Sequence, residues 1–227
     1  MILTRRKVLL GALAMPSMGT AAPLFDIKMG GGLFSKVVSR SDDMSDGLRN
    51  LYNDHEPDLA PMTLLTPKHV PNFIIKSSMK LAFLNANTGE KMPMSLQEKG
   101  GLRKKQVSQL NHFLRDWRQN EIKEIDGAVL KTLIDVCTNY APKSGALEVR
   151  ITSGYRSKKT NNMLRRSSSK VARRSLHIQG RAIDFSLPNV SIRELSKAAK
   201  NICPGGVGTY STFVHIDSGP KRAWGSA

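Results

Sequence analysis

The sequence predicts an α+β fold, a small and mostly antiparallel sheet with flanking helices, and three observations carry that prediction. Several stretches place apolar residues at helical spacing, others alternate as strands do, and the two kinds follow one another without a strict strand-helix-strand repeat. With 227 residues and 40% hydrophobic content, the chain can build one domain with a real core but not two full ones. It contains no internal repeat.

The N-terminal stretch "TRRKVLLGALAM" sets Arg5, Arg6 and Lys7 ahead of an apolar run from Val8 to Met15. That run is too short to span a bilayer, and the small residues Gly19, Thr20, Ala21 and Ala22 follow it as a signal peptidase requires. Residues 1–22 therefore read as a twin-arginine-type export signal cleaved near Ala21 or Ala22, and the periplasm is the expected destination. The plainer alternative is a basic N-terminus that merely begins with arginines. Neither Cys137 nor Cys203 lies just after the apolar run, so no lipid or other stable membrane anchor is expected. The two thiols either pair after export or sit on buried helix faces.

Residues 23–76 carry "MGGG", an acidic patch from Asp42 to Asp58, and prolines at 57, 61, 67 and 71. This composition reads as a linker or poorly ordered segment with one short helix around Asp46 to Asn53. Residues 77–227 are the patterned domain. In "KLAFLNANTGEKMPMSL" two extended runs flank Asn87, Thr88 and Gly89, which predicts a hairpin. "KQVSQLNHFLRDWRQNEI" places Val107, Leu110, Leu114 and Trp117 on one helical face, and "DGAVLKTLIDVCTNYA" does the same with Leu130, Leu133, Ile134 and Cys137. "ALEVRITSGYRS" reads as a strand ending in a glycine turn, "KKTNNMLRR" as a short helix and "RAIDF" as a short apolar strand. "SIRELSKAAKNICPGG" has a capping pair, Ser191 with Glu194, a stripe at Ile192, Leu195, Ala199 and Ile202, and a glycine stop. "TFVHIDSG" alternates as a strand should.

Candidate chemistry gathers near the C-terminal end. His177 and Asp184 flank Gly180, which permits a sharp reversal, so a turn and the adjacent strand could bring the two side chains together. Alone, the pair also fits a hydrogen-bonded structural histidine. In "FVHIDSG", alternation puts His215 and Asp217 on one face of the strand, with Val214 and Ile216 on the other. Two histidines and one carboxylate, with a fourth position left for water, is the composition of a catalytic zinc site rather than a closed structural one. His112 on its helix, and His55 and His69 in the proline-rich segment, read as bland.

Lysine and arginine total 35 against 18 acidic residues, a formal net charge of +17, which favours a polyanionic partner. Export and an aromatic content of only 6% argue against nucleic acid, leaving the cell wall as the better polyanion. Five basic residues lie in "RRSSSKVARRS", just before His177. They read either as a solvated loop or as a cationic lip drawing acidic peptides toward the metal.

The stretches "SGYRS", "SLHIQGRAIDF" and "GGVGTYSTFVHIDSG" resemble the ordered motifs of the zinc D-Ala-D-Ala carboxypeptidase and murein endopeptidase family, and within it the MepK-type periplasmic murein endopeptidases. The similarity runs from about Lys80 to Trp224. It implies a hedgehog/DD-peptidase-like zinc peptidase fold in which His177, Asp184 and His215 ligate zinc. Arg156 of "SGYRS" would face a carbonyl oxygen or carboxylate of the substrate, and Ser175 would contact its backbone; the plainer alternatives are a surface ion-pair partner and a turn residue. One departure is clear: many members of the wider family carry an acidic general base three positions before the last histidine, where this chain has Thr212, and the loop from Gly208 to Phe213 is shorter than in MepK-type relatives. Asp217 is the nearest carboxylate in sequence, either as base or as the partner that orients a ligand histidine. The expected activity is hydrolysis of peptidoglycan cross-links involving diaminopimelate, by a monomer whose partners are stem peptides and cross-links. A D-Ala-D-Ala-type carboxypeptidase and a non-catalytic peptidoglycan-binding protein are the alternatives.

Overall fold

The computed structural model describes residues 56–58 and 74–226. The expected export signal, the expected short helix around Asp46 to Asn53, His55 and His69 lie outside the described residues. No helix among those described is long and apolar enough to cross a membrane.

A hairpin opens the domain, β1 (Met79–Asn85) and β2 (Lys91–Leu96), closed by a turn in which Gly89 takes a positive φ of 74°. Helices α1 (Lys104–Phe113) and α2 (Gly127–Thr138) follow, then β3 (Leu147–Ser153), α3 (Lys158–Ser167) and a 3-10 turn at Leu176–Gln179. The chain continues through β4 (Ala182–Ser186), α4 (Ile192–Ile202), β5 (Gly206–Thr209), β6 (Val214–Asp217) and β7 (Arg222–Trp224). The strands form one sheet in the order β2-β1-β3-β4-β6-β5-β7. The β1–β3 and β5–β7 pairs are parallel and the others antiparallel, so the sheet is mostly antiparallel and the α+β prediction holds.

Three helices start on side-chain caps, the Ser191 cap of α4 among them as expected. Asp126 caps α2 by accepting from the Ala128 N–H, Ser157 caps α3 from the Thr160 N–H, and Ser191 caps α4 from the Glu194 N–H. The predicted stripes face inward: Leu130, Leu133, Ile134 and Cys137 of α2, and Leu195 and Ala199 of α4, are buried against Phe83, Val149, Ile183, Phe185 and Ile216 of the sheet. Each such Leu, Ile or Phe contributes roughly 1.5–3 kcal/mol by leaving water.

Two local expectations need correction, and the two readings of the cysteines are resolved. Helix α1 stops at Phe113, so Trp117 does not share its face; the Asp116 carboxylate accepts from the Arg118 and Gln119 N–H groups and folds the chain into a bridge between Asp116 and Glu121. Trp117 instead stacks on the Arg118 guanidinium, 4.1 Å from the ring centroid. Helix α4 ends at Cys203 in extended conformation, before the glycines expected to stop it. Cys137 and Cys203 are both buried free thiols, and burial pushes the Cys137 thiol up to about 12.

Candidate active site and metal centre

The antiparallel pairing of β4 with β6 sets Asp184 directly opposite His215. His177 reaches them from the 3-10 turn that precedes β4. Gly180 ends that turn in the left-handed region, φ 69°, and a Cβ there would be driven into the Glu124 carbonyl oxygen, so only glycine fits. The turn's other end is capped by Ser175, whose Oγ accepts from the His177 N–H at 3.4 Å.

His177 Nε2 lies 3.2 Å from both Asp184 Oδ1 and His215 Nδ1, and those two atoms are 2.8 Å apart. All three residues are essentially inaccessible to solvent. Zinc–nitrogen distances of about 2.0–2.1 Å at a tetrahedral centre place ligand atoms about 3.3 Å apart, so this triangle fits such an ion with only slight expansion. The second ring nitrogens are spoken for. His177 Nδ1 is 2.6 Å from the Gly154 carbonyl oxygen, which can only accept, so Nδ1 carries the proton and Nε2 presents its lone pair to the cluster. His215 Nε2 donates to Asp217 Oδ2 at 3.0 Å, which turns Nδ1 inward. Outer partners of this kind fix ring orientation and tautomer at metal sites.

The electrostatics agree with a cluster built around a cation. Burial would raise the Asp184 carboxyl, but His177 and His215 hold it well below the usual carboxylate range. Burial would lower His215, yet its hydrogen bonds to Asp184 and Asp217 and their charges raise it to about 10. His177 is lowered, first by burial and then by the Arg156 guanidinium. The pocket thus favours one positive charge between two carboxylates, and a metal ion would take the place of that proton.

Arg156 is buried, with Nη2 3.6 Å from Asp184 Oδ2 and its backbone N–H donating to the His177 carbonyl, so it flanks the cluster. Asp217 Oδ1 accepts from the Gly206 and Gly219 N–H groups at 3.0 and 2.8 Å and from Arg222 at 3.1 Å, while Oδ2 takes His215 and a second Arg222 contact at 2.7 Å. Ser175 Oγ donates to Glu56 Oε1 at 2.8 Å, and both residues are buried. Thr212 is exposed on the loop before β6.

Sequence reasoning brought the three candidate ligands together and named Asp217 as a possible partner of a ligand histidine, but missed the other supports. The Gly154 carbonyl, Arg222 behind Asp217, and Trp224, whose ring centroid lies 5.1 Å from that of His215, had no signal of their own. In hindsight Gly208 carries one, since a Cβ there would meet the Trp224 indole at 2.6 Å.

A sequence model of the family described as "Peptidoglycan L,D-endopeptidase MepK" matches residues 75–224, which takes in every element from β1 to β7. The chain belongs to this family. It is similar to peptidoglycan L,D-endopeptidase MepK of Escherichia coli (strain K12), 39% identical over 146 residues that cover 63% of this chain and 79% of the relative. The same identity and coverage hold for MepK of Shigella flexneri. A probable peptidoglycan L,D-endopeptidase MepK of Haemophilus influenzae is 36% identical over 146 residues, 63% of this chain and 77% of the relative. The MepK family therefore accounts for the folded domain, while residues 56–58 lie outside the matched region.

Proposed function

We propose that the protein is a zinc-dependent murein endopeptidase that hydrolyses L,D-peptide bonds of peptidoglycan cross-links involving diaminopimelate. The observation that carries the reading is the His177–Asp184–His215 triangle, with each ring's far nitrogen anchored, in a chain of the MepK family. The basic net charge suits a polyanionic wall, and the arginine-led N-terminus supports export to the periplasm through a twin-arginine-type signal.

Zinc bound by the triangle would supply Lewis acidity toward a carbonyl oxygen and a water acidic enough to attack an amide near neutral pH. His177, Asp184 and His215 are the residues that would hold it. Arg156, already beside Asp184, stabilises the negative charge that develops on the scissile carbonyl oxygen or holds a substrate carboxylate. Ser175 positions the peptide backbone. Asp217 serves by orienting His215: its two oxygens already accept from His215, Arg222 and two backbone N–H groups, a set that favours this role over that of proton acceptor.

Defined substrates test the reading. Incubated with zinc-loaded protein, dimers cross-linked through diaminopimelate should fall to monomers. Release of terminal D-alanine from free stem peptides, with dimers untouched, would contradict the endopeptidase and establish a carboxypeptidase.

A further inference from the structure

The acidic residues of this basic chain are unevenly spread: Asp42, Asp43, Asp46, Asp54, Glu56 and Asp58, six of its 18, fall within 17 positions. Residues 56–58 of that patch lie against the basic stretch before the metal cluster. The Glu56 N–H donates to the Lys170 carbonyl at 3.1 Å, Ser175 Oγ donates to the Glu56 carboxylate at 2.8 Å, and the Arg174 N–H donates to Asp58 Oδ1 at 3.0 Å. Glu56 is only 3% exposed. Its backbone and two carboxylates, spaced two residues apart, are thus gripped by one loop, Lys170 to Ser175. We infer that this loop is a docking surface for an extended acidic peptide, and that its occupant is the chain's own Glu56–Asp58, seated where a substrate stem would reach Ser175.

The hydroxyl decides the conflict. Ser175 Oγ has one proton, which it gives to Glu56, and it already accepts from the His177 N–H. A substrate group that needs that proton must displace Glu56. Stem peptides of the wall bear carboxylates along their backbone, as Glu56 and Asp58 do here. Because the occupant belongs to the same chain, its local concentration is of order millimolar, and it weakens substrate binding without altering the chemical step. The competition with substrate rests on the proposed peptidase reading; the docking does not.

The test uses the full chain beside a Glu56→Ala/Asp58→Ala variant. A fluorescein-labelled peptide with the sequence of residues 53–60 should bind the variant about tenfold more tightly than the wild type, because the internal copy no longer competes. Equal binding to both, or none to the variant, overturns the docking. Hydrogen exchange gives a second reading: the Arg174 amide should be protected in the wild type and released in the variant, and equal rates would likewise overturn it. On sacculi below saturation the zinc-loaded variant should work faster, through a lower KM at unchanged kcat. A variant that is slower, as expected if Glu56 merely positions Ser175, overturns the competition. Should neither form digest sacculi, the proposed function fails, while peptide binding and exchange still decide the docking.

Discussion

Asp217 holds His215 from behind: the His215 Nε2–H donates to Asp217 Oδ2 at 3.0 Å, and Arg222 and two backbone N–H groups hold the same carboxylate in place. Replacing Asp217 by Asn keeps one acceptor but loses the charge that balances Arg222 and favours the required tautomer. Zinc affinity of Asp217→Asn should drop about 10–100-fold, measured by competition with a chromophoric chelator. Affinity equal to the wild type would remove Asp217 from the site's architecture.

Thr212, three positions before His215, is exposed, and its hydroxyl cannot take a proton from water at neutral pH. Thr212→Ala should leave kcat/KM within about twofold of the wild type on sacculi. A loss of a hundredfold would show that the hydroxyl takes part in the chemistry.

Gly180 combines a φ of 69° with the Glu124 carbonyl packed where a Cβ would go. Gly180→Ala must therefore strain the backbone and push that carbonyl away, at a cost of order 1–3 kcal/mol. Because the turn carries His177, zinc affinity should fall along with the midpoint of denaturant unfolding. An unchanged midpoint would contradict the geometry.

Asp116 gives a pH signature. Burial would raise its carboxyl, but the Thr160 and Ser157 side chains beside it and the N–H groups of Ser157 and Gln119, from which it accepts, lower it below the ordinary value. A carboxyl depressed in the folded state adds stability above its unfolded pKa of about 3.9, and that stability is lost as pH falls through the folded value. Between about pH 6 and pH 3 the wild type should therefore lose more unfolding free energy than Asp116→Asn, read by urea denaturation. Equal losses would mean that the turn gains nothing from the charge.

Much of the domain was legible because its elements carry local signals. Ser191 with Glu194 announces a helix start, the stripe from Leu130 to Cys137 has one period, and the alternation of "FVHID" put His215 and Asp217 on one face. Helix α1 was overextended because Trp117 continues its apolar spacing, while the Asp116 carboxylate accepts from the Arg118 and Gln119 N–H groups and turns the chain, which periodicity does not register. Strands β5 and β7 were missed for another reason. Gly206 and Gly208 carry no side chain to alternate, and their place in the sheet comes from Trp224 and Arg222 packing over them. Glu56 lies 119 residues from Ser175, a pairing that only the folded chain reveals.

The central claim, that the His177–Asp184–His215 cluster makes this chain a zinc-dependent murein endopeptidase, is tested most directly on purified sacculi. Zinc-loaded wild type, the chelated wild type and His177→Ala would be incubated side by side and the muropeptides released by a muramidase compared. Cross-linked dimers should be converted to monomers by the zinc-loaded wild type alone. Dimers left intact by a wild type that demonstrably binds zinc, or cleaved equally by His177→Ala, would contradict it.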